Sequence, residues 1–574
     1  MRFIFQKKAF LAAFLGILAL GCFLRTYNFS DWLHFELDQA RDADVVFSAA
    51  EGSISELPLL GPRARGTFLR LGPAYYYLEY ASAKIFGNTP PGMAVGVLLL
   101  AIFSLPLMYL FFRRYFDKKI SLALFAISNF SIFLIMYSRF AWNPNPLVFF
   151  VPLALYSTLR AVDEKESRRG IWLAAALTSL SISTQLHFLA FIALPLVFLI
   201  FFIFKRPKIS LKFWMLAISI ALLFYIPVFL NEYQTGGDNT EEFLKTISGK
   251  SEDSSVSLVN KIFFNIKEHS AGYFLILSGR DGNSLLGLNL NGLAARYRDC
   301  GENCPQDYYL GFFSAAFVFF GFLILVLNFK KETDPRRKDF LLLNGLWFSA
   351  IFLLFIPLAM ELSPRYFLIS AFLPFVFLGL ILETIPRKMK PIWVISAVVF
   401  ILAVSNGLEV KKRFGELAMA HKINLETDLD LLLKEKTRVT YRQEKMIEKY
   451  MLQSQTENGQ AIFFSGDARY VPALEFLLKE DEAVFDDKIP RDHIYRQANY
   501  FWVDFTRSDG SYSLGKKETP LYDIAGVKNF GTLSVLTLLP KEGEITDETP
   551  NLEQPPKKHR SGAPKRYLWE EIFD

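Results

Sequence analysis

The chain has 574 residues, of which 52% are hydrophobic, 16% aromatic and only 21% charged. With a mean hydropathy of +0.24 it is too apolar, and too poor in charge, for a soluble protein of this length. The formal net charge of +6 is small, and no basic patch with interleaved aromatics marks a nucleic-acid surface.

The apolar residues collect in runs long enough to cross a bilayer core as helices. Spans are expected near 9–26, 91–112, 120–138, 146–161, 171–186, 188–204, 211–230, 309–329, 340–360, 366–385 and 391–408, which makes about eleven. The first run has basic residues before it but no small-x-small cleavage site, so it reads as a retained span. Lys and Arg fill every second connection: Arg113 and Arg114, Arg168 and Arg169, Lys205 and Arg206, Arg336 and Arg337, Arg387 and Lys388. That alternation places those connections and the N-terminus on the cytoplasmic side.

Residues 1–408 are therefore expected to form a transmembrane domain with two long external loops, 27–90 and 231–308. Residues 409–540 alternate strand-like and helix-like stretches, from AIFFS and DARYVPALEFLLK to NYFWVDFT and TLSVLTLLP, as a small extracytoplasmic α/β domain would. Residues 541–574 are Pro-rich and charged and are expected to be disordered. The fold class is thus an α-helical polytopic membrane protein, N-terminus in and C-terminus out, with a small α/β C-terminal domain. Cys300 and Cys304 lie four apart in an external loop, where a local disulfide is expected.

The run His34–Asp44, HFELDQARDAD, packs four acids with Arg41 just beyond the first span. Glu36 and Asp38 are two apart, so in an extended loop both face one side, where they can share a cation or accept a proton. Hydration of acids beside a membrane is the plainer alternative. The same loop carries Arg63 and Arg70 beside prolines, suited to a phosphate through forked hydrogen bonds or to lipid headgroups. Tyr137–Pro146, YSRFAWNPNP, contains two Asn-Pro turns that bring Arg139 and Asn143 to the outer face. His187 and the pair Arg365–Tyr366 also fall at outer helix ends, as ligands of a substrate or as anchors.

Together these features resemble the integral-membrane glycosyltransferases of the GT-C fold, in the branch with protein O-mannosyltransferases and lipid A aminoarabinose transferase. That branch carries Asp-Glu-Ala-Arg in its first external loop; here Asp38-Gln39-Ala40-Arg41 is similar, with Gln39 in place of the second acid and Glu36 available to substitute. LGPAYYYLEYA, Ser138-Arg139, Trp142-Asn143-Pro144, Gln185-Leu186-His187 and Arg365-Tyr366-Phe367 extend the resemblance over residues 1–408. It implies transfer of a sugar from a polyprenyl-phosphate donor to an acceptor hydroxyl of a protein, lipid or glycan on the extracytoplasmic face of a bacterial plasma membrane. In that scheme Asp38 is the general base and the reaction inverts. Glu36 orients the acceptor or, with Asp38, holds a divalent cation if one is used. Arg63, Arg70, Arg365 and Tyr366 bind the donor phosphate, and Arg41, Arg139, Asn143 and His187 position substrate. The rival classes are a transporter or lipid-linked sugar flippase, and a non-catalytic scaffold. Transporters place ionisable groups near the bilayer midplane, and these spans are nearly free of them.

Overall fold

The computed structural model describes residues 2–64, 67–163, 165, 167–248, 256–280, 287–289, 294–296, 304–359, 361–385, 392–425, 427, 432–507, 509–550 and 565–573. Helix α1 (Arg2–Thr26) is followed by two helices outside the apolar runs, α2 (Leu37–Glu51) and α3 (Ala74–Phe86). Next come α4 (Pro90–Phe112), α5 (Lys118–Phe130), α6 (Ile132–Tyr137), α7 (Leu147–Val162), α8 (Arg169–Leu186) and α9 (Phe188–Lys205). Helices α10 (Leu211–Leu223), α11 (Ile226–Thr235), α12 (Asp238–Ser248) and α13 (Leu258–Ser278) precede a short hairpin, β1 (Gly287–Asn289) and β2 (Ala294–Arg296). The helical part closes with α14 (Cys304–Lys331), α15 (Pro335–Phe355), a 3-10 turn at Pro364–Ser370, α16 (Leu373–Thr384) and α17 (Ile392–Met419).

Every one of the eleven expected spans falls on helix. Among the described residues, however, six helices are long and apolar enough to cross a membrane, or up to eight if each bent pair is one span. The difference has local causes. The expected span 120–138 is two helices broken at Ser131, Leu147–Val162 is short, and Arg169–Leu186 is diluted by Ser and Thr. The bent pairs α10–α11 and Pro364–Ser370 with α16 turn by 58° and 62°, each with a proline in the first turn of its second piece.

The Ser131 break leaves no bare backbone there. The Ile132 amide donates to Asn406 Oδ1 at 3.0 Å, the Asn406 amide donates to the Leu277 carbonyl at 2.7 Å, and the Ser131 hydroxyl donates to the Ile276 carbonyl at 2.6 Å. Lipid-facing helices show their apolar side: Leu11, Leu15 and Phe23 on α1, Phe319 on α14, and Trp393 and Phe400 on α17 are all exposed. At one end of the bundle the basic connections interlock. Asp163 meets Arg114 at 3.0 Å and Arg336 at 2.8 Å, Lys205 meets Asp339 at 2.6 Å, and Arg337 meets Glu383 at 2.8 Å.

After α17 come α18 (Tyr441–Asn458), β3 (Ile462–Gly466), α19 (Val471–Glu480), β4 (Phe485–Asp486), β5 (Asn499–Phe505), β6 (Tyr522–Phe530) and β7 (Leu533–Pro540). The strands form one mixed sheet in the order β4-β3-β5-β7-β6, parallel across its first three and antiparallel beyond. Alternate residues of the inner strands point to opposite faces, and both faces are covered there, while edge strand β6 is largely exposed. Ile462, Phe464 and Phe501 pack under α18 and α19, while Phe463, Tyr500 and Tyr522 pack on the other side.

Of the stretch 541–574, residues 541–550 and 565–573 are described: the Asp547 amide donates to the Ile494 carbonyl at 3.2 Å, and Leu568 forms an antiparallel bridge with Pro58 of the first loop. The expected Cys300–Cys304 pairing lies outside the described residues.

Candidate active site

The acid run is helical, not extended. Helix α2 begins at Leu37 with Glu36 as its N-cap, and Gln39 reciprocates by accepting the Glu36 amide at 3.2 Å. Helical spacing then brings Asp38, Arg41 and Asp42 together. Arg41 donates to Asp38 at 2.9 Å and clasps Asp42 with two bonds of 2.9 and 3.0 Å. Tyr76 from α3 donates its hydroxyl to Asp42 at 3.1 Å. Asp38 keeps 39% of its side-chain surface exposed whereas Asp42 keeps none, so the buried acid anchors Arg41 and leaves Asp38 as the reachable carboxylate. Burial pushes the Asp42 carboxyl up to about 6 against the pull of Arg41.

Glu36 takes other partners. Tyr470 of the sheet domain donates to it at 3.1 Å and His34 Nδ1 lies 3.7 Å away. Burial raises its pKa, while His34 lowers it. The same domain grips the acid run through Lys479 on Asp44, the Tyr441 amide on the Leu33 carbonyl at 3.1 Å, and the Arg442 amide on the Asp31 carbonyl at 3.1 Å. A cavity of about 230 Å³ opens here, with Glu36, Asp38, Trp142, Arg365, Lys434 and Arg469 on its wall. The guanidinium of Arg365 lies 5.1 Å over the Trp142 ring. Among the described residues, no group of three or more His, Cys, Asp or Glu is gathered to hold a metal ion.

Arg63 and Arg70 stand apart from that wall, on a hairpin over 61–72 in which they face each other across an antiparallel bridge. Asn239 of α12 pairs with the Arg70 backbone, accepting its amide at 2.8 Å and donating to its carbonyl at 3.1 Å, so the two long loops meet at this residue. Arg70 is pulled down to about 10, first by burial and then by Arg566, with Arg63 and Arg41 adding to it. The structure therefore separates the four expected phosphate ligands. Arg63 and Arg70 gather with Arg41, Arg365 lines the cavity, and Tyr366 turns its ring edge-on to His187 at 5.8 Å.

The residues expected to position substrate from 137–146 and 187 do structural work here. Arg139 is buried and donates to the carbonyls of Leu24, Arg25, Tyr27 and Asn28 at 2.8–3.3 Å, closing the C-terminal end of α1. Asn143 donates to the Leu186 carbonyl at 2.8 Å, and His187 Nδ1 accepts the Leu189 amide at 3.2 Å as N-cap of α9. Each satisfies orphan backbone groups at a helix end. Conversely, Tyr76, Lys434, Arg469, Tyr470 and Arg566 were not among the expected site residues. Reading the acid run with helical spacing points to Asp42, and Tyr76 lies within LGPAYYYLEYA; nothing local points to Lys434, Arg469, Tyr470 or Arg566, which arrive from distant segments.

Residues 71–230 match the family of dolichyl-phosphate-mannose-protein mannosyltransferases. A protein of Aquifex aeolicus (strain VF5), itself uncharacterized, is 29% identical over 210 residues, which is 36% of this chain and 40% of that relative. The crystal structure of ArnT from Cupriavidus metallidurans bound to undecaprenyl phosphate aligns with a TM-score of 0.53 at 12% identity, covering 93% of this chain and 98% of ArnT. The apo form of the same protein gives 0.50 at the same identity and coverage. The fold is of the GT-C type, shared with ArnT. In sequence, the likeness to the mannosyltransferases lies in residues 71–230.

Proposed function

We propose that this protein transfers a sugar from a polyprenyl-phosphate donor to an acceptor hydroxyl on the extracytoplasmic face, with inversion. The observation that carries the reading is Asp38: a half-exposed carboxylate on the cavity wall, steadied by Arg41, which is itself anchored on buried Asp42. Asp38 takes the proton of the acceptor hydroxyl as its oxygen attacks the anomeric carbon. The bond from that carbon to the phosphate oxygen breaks, and the phosphate leaves with the electron pair. Arg63 and Arg70, beside Arg41, neutralise the leaving phosphate through forked hydrogen bonds. Glu36, held by Tyr470, and Arg365, lying on Trp142, shape the cavity where acceptor and sugar meet. The fold shared with ArnT supports transfer over transport.

The test uses purified protein in detergent with a panel of polyprenyl-phosphate sugars and an acceptor extract, following release of free polyprenyl phosphate. Asp38→Asn is expected to lose about a hundred- to ten-thousandfold in turnover and to keep donor binding. Release that is equally fast in the variant, or absent from wild type with every donor, overturns the reading.

A further inference from the structure

The segment from Lys565 to Phe573 is built onto the first loop beside the arginine cluster. Its backbone adds as a strand: the Leu59 amide donates to the Tyr567 carbonyl at 2.9 Å and the Trp569 amide to the Leu57 carbonyl at 3.2 Å. Asn231 of α11, fully buried, spends both ends of its amide on the segment. Its Oδ1 accepts the Tyr567 amide at 3.0 Å and its Nδ2 donates to the Lys565 carbonyl at 3.3 Å. Trp569 Nε1 donates to the Tyr77 hydroxyl at 2.8 Å, and that hydroxyl donates to the Pro58 carbonyl at 3.2 Å.

These contacts fix Arg566 between them. Its Nη1 lies 3.5 Å from the Tyr76 hydroxyl, and its guanidinium centre lies 5.7 Å from the ring. The Tyr76 hydroxyl donates to Asp42, the anchor of Arg41, so Arg566 and Arg41 bracket one hydroxyl and one carboxylate. Arg70, on the hairpin just before α3, donates Nη1 to the Gly61 carbonyl at 3.4 Å and keeps its buried Nε unpartnered. Among the described residues, no carboxylate lies within ion-pair distance of Arg70 or Arg566. Several guanidinium groups in a half-buried place repel one another, and an orphaned N–H among them is a donor suited to an oxyanion.

We infer that Arg566 is a phosphate-binding residue delivered by the segment 565–573, a fourth cation beside Arg41, Arg63 and Arg70, held in place by Asn231 and Trp569. The inference rests on reading that cluster as the donor-phosphate site and adds to it a residue from the far end of the chain. The ligand chemistry is a phosphate ester or free phosphate, which a forked guanidinium recognises whichever source supplies it.

The experiment measures binding of undecaprenyl phosphate and, separately, of inorganic pyrophosphate to the full chain in detergent. Wild type is compared with Arg566→Gln, Arg566→Lys and Asn231→Ala. Arg566→Gln is expected to weaken undecaprenyl phosphate binding about ten- to a hundredfold, as loss of a charge-assisted contact does. Arg566→Lys keeps the charge and recovers part of it. Asn231→Ala frees the segment with Arg566 intact and weakens binding in the same direction. In turnover, the loss falls on the donor KM more than on kcat. Arg566→Gln and Asn231→Ala both binding within about twofold of wild type overturn the inference. Binding of neither probe by wild type overturns it together with the donor reading. Pyrophosphate binding that needs Arg566, with no lipid binding at all, upholds the phosphate site and sinks only the polyprenyl donor.

Discussion

Asp42 couples the charge of the site to pH. Its folded value of about 6 lies above that of a free aspartate, near 4, so the folded protein takes up a proton over that interval. The stability this group lends is complete below about 4 and is lost as pH climbs through about 6. Function runs in the opposite sense, since ionised Asp42 is what fixes Arg41 against Asp38. The kcat/KM profile is expected to show an acid limb near pH 6 that Asp42→Asn removes or moves; a wild-type profile flat down to pH 5 would sink the role. The sequence singles out Asp38 because its neighbours resemble a family pattern, and its role as base is the proposal that Asp38→Asn tests. Asp42 lay in plain view in the same run, but its weight comes from burial under Tyr76, which no local spacing displays. Arg139, Asn143 and His187 were legible as polar residues at helix ends, and their carbonyl and amide partners there appear only in the fold.

At the scale of elements, the hairpin over 61–72 sets where Arg63 and Arg70 stand. Its arms approach so closely at the base that a Cβ on Gly61 would lie 2.1 Å from the Gly72 carbonyl oxygen, a backbone atom that cannot rotate away. Gly61→Ala is therefore expected to cost about 1–3 kcal/mol by forced separation of the arms. It should also raise the donor KM without touching a polar group of the site. Thermal unfolding together with donor titration checks both, and unchanged values in the two would show the hairpin to be slack. The helices themselves were largely readable as apolar runs of the right length. The breaks inside them were not, because a run of apolar letters continues through Ser131 while the partners that make the break tolerable sit on α13 and α17.

For the whole molecule, the basic connections cluster at one end through Asp163, Lys205 and Arg337, and the acid run, both arginine groups and the sheet domain lie together elsewhere. We propose from the charge alternation that the first end faces the cytoplasm. In a background with Cys22, Cys300 and Cys304 replaced by Ser, an impermeant thiol reagent applied to cells is expected to label Ser513→Cys and spare Ser167→Cys. The reverse pattern would invert the orientation. The sheet domain was visible as alternating strand and helix letters, but its hold on the active-site loop through Tyr470 and Lys479 joins residues more than four hundred positions apart and leaves no mark in either stretch.

The repaired break at Ser131 also orders the birth of the protein. Helices α5 and α6 are made long before the acceptor of the Ile132 amide, since Asn406 follows 274 residues later. A backbone amide without a partner in hydrocarbon costs several kcal/mol. Until α17 is inserted, then, the pair is an unfinished piece that water, lipid headgroups or the insertion machinery must shelter. The late helix α17 thus acts as a keystone for the break between two of the early ones.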